Sequence, residues 1–130
     1  DLCGSCRICI EACPTGAIVD EYVLDSNLCI SYQTIENRSE IPEQIDLHGW
    51  IFGCDICQDV CPFNRNDVVT SDENFYPKQE IYNKSIEELE RLNEEEFNKI
   101  FKDSSVKRTK YSGWKRNLEK YKEEYLNNGL

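Results

Sequence analysis

The sequence has 130 residues, 39% of them hydrophobic and 31% charged, with eight cysteines and a formal net charge of −10. That length suits one domain of ordinary size, and the modest apolar fraction leaves little for a large core. No run of 18 apolar residues and no basic-then-apolar leader occurs, so nothing in it is expected to span a membrane.

The first predicted element is a cysteine run, Cys3-x2-Cys6-x2-Cys9-x3-Cys13-Pro14. It has the full spacing of a bacterial two-cluster ferredoxin, in which three cysteines hold one [4Fe–4S] cube and the fourth crosses to the other. Ile10-Glu11-Ala12 is expected to form a helical turn between Cys9 and Cys13. Beyond it, Pro14 and Gly16 mark a tight turn, and residues 18–24 are expected to form a short strand pair. Asp25-Ser26 is a candidate cap for a helix carrying Cys29 and running to Ile35, with a loop over residues 38–42.

The second run, Cys54-x2-Cys57-x3-Cys61-Pro62, is one cysteine short. Crossing Cys61 to Cys3, Cys6 and Cys9 completes a first cube. Cys13, Cys54 and Cys57 then need a fourth ligand, and Cys29 is the cysteine left. Its assignment rests on that count alone, since nothing around it has ligand spacing. A disulfide framework would need an oxidising compartment and would allow 105 pairings of eight cysteines. Zinc would favour separated C-x2-C knuckles over a run of four. Two [4Fe–4S] clusters are the reading that the spacing favours. Ile8, Ile10, Ile18, Ile51, Phe52, Ile56 and Val60 are the expected apolar sheath around them. His48, the sole histidine, is read as structural or as cover for a cluster, because the cysteine count already closes.

Residues 63–83 read as irregular, and helical patterning resumes at Ser85. Ser85 with Glu88 and Asn93 with Glu96 resemble capping boxes. Ile86, Leu89 and Leu92 give one apolar face, and Phe97, Ile100 and Phe101 give another. A third helix is expected from Ser104 or Ser105. Along it Tyr111, Trp114, Leu118, Tyr121 and Tyr125 recur at helical spacing as a stripe suited to packing.

Charge divides the same way. Residues 1–100 carry 7 basic and 21 acidic side chains, and residues 101–122 carry 8 basic and 2 acidic ones. Each oxidised cube with its thiolates adds roughly −2 to the acidic part. Lys107, Arg108, Lys110, Lys115 and Arg116 flank the stripe and are the candidates for phosphate contacts. The expected fold class is α+β: a ferredoxin-like double [4Fe–4S] domain with short helices and minimal strand content over 1–66. An irregular linker (67–84) and a helical segment packed on the module (85–130) complete it. Asp1 lies two residues before a ligand, so the chain is expected to be a piece of a longer protein. A parent polypeptide with no more mass than these residues would contradict this.

The words around the cysteines are more specific than the runs themselves. Cys29-Ile30-Ser31-Tyr32-Gln33-Thr34-Ile35-Glu36, then Ile41-Pro42, then Gly49-Trp50-Ile51-Phe52-Gly53-Cys54-Asp55-Ile56-Cys57-Gln58-Asp59-Val60-Cys61-Pro62-Phe63-Asn64 closely resemble the iron–sulfur part of epoxyqueuosine reductases. Glu96-Phe97, Phe101, Ser104 or Ser105, Arg108, Lys110, Gly113 and Arg116-Asn117 resemble the helical segment that follows the clusters in that family. The resemblance implies a cobalamin-dependent enzyme that removes the epoxide oxygen of epoxyqueuosine in a tRNA anticodon stem-loop. Its two clusters relay single electrons to the corrinoid. It places Cys3, Cys6, Cys9 and Cys61 on one cluster and Cys13, Cys29, Cys54 and Cys57 on the other, the partition that counting reaches independently. It further implies that Tyr32, Thr34 and Ile41 lie near the corrinoid. The implied setting is a cytoplasmic monomer fed by a donor such as flavodoxin or ferredoxin.

Family members carry a large domain ahead of the clusters, which supplies most of the corrinoid pocket and an acidic proton donor. Nothing in these 130 residues matches it, and no carboxylate here can be named as that donor. The residues given are therefore expected to transfer electrons but to reduce no epoxide alone. Two rivals stand beside this reading. One is a generic two-cluster module of another oxidoreductase, such as a corrinoid-dependent dehalogenase. The other is a nucleic-acid-binding module with structural clusters, which the acidic charge of residues 1–100 disfavours.

Overall fold

In the computed structural model, described for residues 3–66 and 68–127, two small cores take the place of one large one. Helix α1 (Ile8–Ala12) packs against α3 (Ile56–Asp59), so the two cysteine runs lie side by side. Strands β1 (Ile18–Asp20) and β2 (Val23–Leu24) form an antiparallel hairpin, with Ile18 opposite Leu24. The two-stranded sheet is the only one among the described residues.

The expected helix through Cys29 is split. Asp25 caps a single 3-10 turn, Ser26–Leu28, by accepting the Asn27 N–H. Cys29 then takes an extended conformation (φ −76°, ψ 120°), and α2 (Ile30–Ile35) starts after it. The break turns the Cys29 side chain away from a continuous helix face. Below α2, Ile30, Ile41, Ile45 and Leu47 make the first core, with Trp50 and Cys54 packed against it.

Residues 68–84 hold one 3-10 turn, Glu73–Phe75, and are mostly exposed. Helices α4 (Ile86–Glu90) and α5 (Glu94–Ile100) each begin with a complete capping box, Ser85 with Glu88 and Asn93 with Glu96. Each box satisfies two N–H groups that would otherwise lack partners. Ser104 caps a 3-10 segment, Ser105–Thr109, and the α-helix proper, α6, runs Lys110–Lys122. It therefore starts several residues after the position read from sequence.

Helix α6 packs on α2, α4 and α5. Its Trp114 and Leu118 close the second core with Leu89, Leu92, Phe97 and Phe101. Ring centroids lie 5.0 Å apart for Phe97–Phe101 and 5.2 Å for Phe101–Trp114, within the range of favourable aromatic contact. The rest of the stripe behaves differently. Tyr111 donates its hydroxyl to the Leu92 carbonyl at 3.0 Å, while Tyr125 is largely exposed and stacks on Tyr121.

Candidate metal centre

Seven of the eight cysteines line two cavities. Cys13 after α1, Cys29 before α2, and Cys54 and Cys57 around the start of α3 all line one cavity of about 530 Å³. Four thiols from three separate stretches thus converge on one space, and Ile18, Ile30 and Ile56 wall it with hydrocarbon. Cys3, Cys6 and Cys9 line a second cavity of about 130 Å³ with Ile10 and Ile18. Cys61 is half-buried, just past α3, and is not among the residues lining that second cavity. No two of the described cysteines are joined as a disulfide.

Hydrogen bonding around the first cavity suits sulfur that carries negative charge. The Ala17 N–H donates to Cys13 Sγ at 3.2 Å, and the Thr15 hydroxyl lies 3.8 Å from the same sulfur. Burial pushes the Cys13 thiol up, but hydrogen bonds from Ile18, Thr15 and Ala17 outweigh it and leave the thiol below its ordinary value. Cys54 goes the other way. Burial raises it, and the nearby sulfurs of Cys57, Cys29 and Cys13 raise it further. That mutual repulsion places the four cysteines within each other's field, where a cationic iron core would relieve it.

Among the described residues, no three His, Cys, Asp or Glu side chains close around a point as a single ion requires. Four thiolates on zinc at 2.3 Å stand only about 3.8 Å apart by tetrahedral geometry. A cube spreads its four thiolates over iron corners and holds them further from one another. Four cysteines converging on one cavity are the donor set that a [4Fe–4S] cluster takes.

The remaining predicted site residues are placed unequally. Tyr32 exposes about a third of its surface. Thr34 is fully buried and Ile41 nearly so. Among the basic candidates, Lys107, Arg108 and Lys110 are exposed, and Arg108 pairs with Glu36 at 2.6 Å. Lys115 donates to the Glu90 carbonyl at 2.6 Å. Arg116 is committed to the fold: it donates to the carbonyls of Gln33 (2.7 Å), Asn37 (2.8 Å) and Ser39 (2.6 Å). His48 is exposed and lines neither cysteine cavity.

Sequence reasoning did not find the Thr15 hydroxyl or the Ala17 amide. The turn Cys13-Pro14-Thr15-Gly16-Ala17 held that signal, because a chain folding back after a ligand brings its amides to the sulfur. Nor did it find the hydrogen bond from Asn117 Nδ2 to the Thr34 carbonyl at 2.8 Å, which joins residues 83 apart in sequence.

Comparison with known proteins agrees with this geometry. Residues 2–64 match the family model described as a 4Fe-4S double cluster binding domain. Over 121 residues the chain is 47% identical to an epoxyqueuosine reductase of Cellulophaga algicola, covering 92% of this chain and 40% of that protein. For the epoxyqueuosine reductase of Escherichia coli K12 the identity is 41% over 118 residues, covering 89% and 31%. Among solved structures, epoxyqueuosine reductase from Bacillus subtilis superposes with a TM-score of 0.82 at 30% identity, covering 95% of this chain and 34% of that one. An epoxyqueuosine reductase crystallised with an epoxyqueuosine-modified tRNA-Tyr stem loop gives 0.80 at 30%, covering 94% and 33%. The resemblance seen in the sequence is thus borne out over nearly the whole chain. The chain spans 31% to 42% of the length of the curated relatives it matches, and those relatives are enzymes.

Proposed function

We propose that this chain is the iron–sulfur portion of an epoxyqueuosine reductase, carrying electrons to a corrinoid held mainly by the rest of the protein. The observation that carries the reading is the convergence of Cys13, Cys29, Cys54 and Cys57 on one cavity, in a chain 47% identical to such a reductase. In this reading those four residues hold one [4Fe–4S] cluster, and Cys3, Cys6, Cys9 and Cys61 hold the other. The ferredoxin-like module spans residues 1–66, 67–84 links, and 85–130 forms a helical buttress packed on it.

When bound, the clusters supply single-electron transfer at low potential. What the chain's own residues contribute is placement and field. Cys9 and Cys57 lie in α1 and α3, with Cys13 and Cys61 just beyond their ends, and the packing of the two helices keeps the two sites adjacent. Ile18, Ile30 and Ile56 limit water, while the excess of acidic side chains over residues 1–100 disfavours added electrons and lowers the potential. Deoxygenation of an epoxide to an alkene takes two electrons and two protons, the oxygen leaving as water. Two single-electron carriers match that count, with the protons supplied from outside these residues.

Of the three residues read as corrinoid neighbours, Tyr32 is the one with exposed surface. Lys107, Arg108 and Lys110 form the face offered to the anticodon stem-loop. The setting proposed is a cytoplasmic monomer reduced by flavodoxin or ferredoxin. No described helix is long and apolar enough to cross a membrane. The test is anaerobic iron analysis with redox titration of the full-length protein, followed by an assay for queuosine formed in epoxyqueuosine-modified tRNA. Eight irons per chain, potentials well below zero volts against hydrogen, and queuosine as product are expected. Far fewer irons, or a high-potential pair, would overturn the reading.

A further inference from the structure

The last helix carries no cysteine, yet it holds the two segments that deliver two of the four sulfurs of the larger cavity. Thr34, on α2, lies five residues after Cys29 and is fully buried. Its hydroxyl donates to the Ile30 carbonyl at 2.8 Å and accepts the Gly53 N–H at 3.0 Å, one residue before Cys54. Its carbonyl accepts two bonds from the region of α6: from the Thr109 hydroxyl at 2.7 Å and from Asn117 Nδ2 at 2.8 Å. The same Nδ2 donates its other hydrogen to the Ile51 carbonyl at 3.0 Å.

One buried amide thus spans the Cys29 segment and the Cys54 segment, using both of its hydrogens. Its orientation is fixed from behind, because Asn117 Oδ1 accepts from Arg116 at 2.8 and 3.2 Å. Gly113 completes the arrangement. A Cβ there would stand 2.7 Å from Thr109 Oγ1, so the close approach of Thr109 requires glycine. Gly53 itself has φ +70°, a conformation that bare backbone tolerates and that the bond to Thr34 holds in place.

We propose that Thr34, Thr109, Gly113 and Asn117 are positioning residues for the cluster held by Cys13, Cys29, Cys54 and Cys57. They act by fixing where Cys29 and Cys54 stand relative to one another. The proposal rests on the two-cluster reading above. Their hydrogen bonds reach the segments of Cys29 and Cys54, so the effect falls on that site rather than on the cluster of Cys3, Cys6, Cys9 and Cys61.

The test uses the full-length holoprotein with Thr34→Val, Thr34→Ser and Gly113→Ala, titrated anaerobically and followed by electron paramagnetic resonance. Thr34→Val keeps the shape of the side chain but leaves the Gly53 N–H without its acceptor. Thr34→Val and Gly113→Ala are expected to shift the reduction equilibrium of one cluster at least tenfold, about 59 mV for a one-electron couple, and to change its line shape alone. Thr34→Ser, which keeps the hydroxyl, is expected to restore wild-type behaviour. A lowered melting temperature with both signals unmoved would reduce the network to a structural brace and overturn the proposal. Equal shifts of both clusters would overturn it too. If Thr34→Val does not fold, Gly113→Ala and Thr34→Ser decide between the same outcomes. Wild-type protein that binds no cluster would instead strike down the two-cluster reading itself.

Discussion

At the level of single residues, the chain separates what spacing reveals from what packing hides. Seven cysteines are legible because two short runs repeat a ligand spacing. Cys29 is legible only as the one left over, and its place on the larger cavity comes from a break in the helix that no local pattern signals. Cys29→Ala is expected to lower the iron content from eight and to remove the resonance of one cluster while sparing the other. Metal analysis with spectra of the reduced protein checks this. Gly53→Ala meets no steric contact, but it forces a side chain to adopt φ +70°. A cost of about 1–2 kcal/mol is expected from the left-handed conformation alone, readable by denaturant titration of the holoprotein. Arg116 is the opposite lesson. Its charge reads as a phosphate contact in the sequence, and only the folded chain shows it bonded to three carbonyls.

Among the elements, those governed by neighbours in sequence were the most readable. Both capping boxes were legible, since each involves residues three apart, and both form in full. Ser85→Ala and Asn93→Ala should each cost about 1 kcal/mol, measured as a loss of unfolding free energy without change in the clusters. The onset of α6 was misread because Ser104 does cap a helix there, but a 3-10 one that yields to the α-helix at Lys110. The stripe on α6 was legible as packing, although it fades beyond Leu118 where Tyr125 meets solvent. Leu118 is fully buried at its centre. Leu118→Ala is expected to destabilise the protein by about 2–5 kcal/mol, with a thermal melt as the readout.

For the whole molecule, two small cores mean two sources of stability. The helical core of Leu89, Leu92, Phe97, Phe101, Trp114 and Leu118 contains no ligand. The core of Ile30, Ile41, Ile45 and Leu47 has Cys54 packed against it and depends on metal binding for part of its folding free energy. Stripping iron with a chelator is therefore expected to raise hydrogen exchange across residues 3–64 well before it does so across α4 to α6. Uniform exchange over both parts would show that the cores fold as one.

The two tryptophans fall on opposite sides of that division. Trp50 packs against the same core as Cys54, while Trp114 sits among the phenylalanines of the other core. Their intrinsic emission consequently offers two optical probes without any label: Trp50 fluorescence quenched by a nearby iron–sulfur chromophore and brightening as it bleaches, Trp114 following the helices. Replacing either by phenylalanine would let one fluorophore report alone, so that loss of the inorganic part and loss of the protein part can be timed separately in a single cuvette.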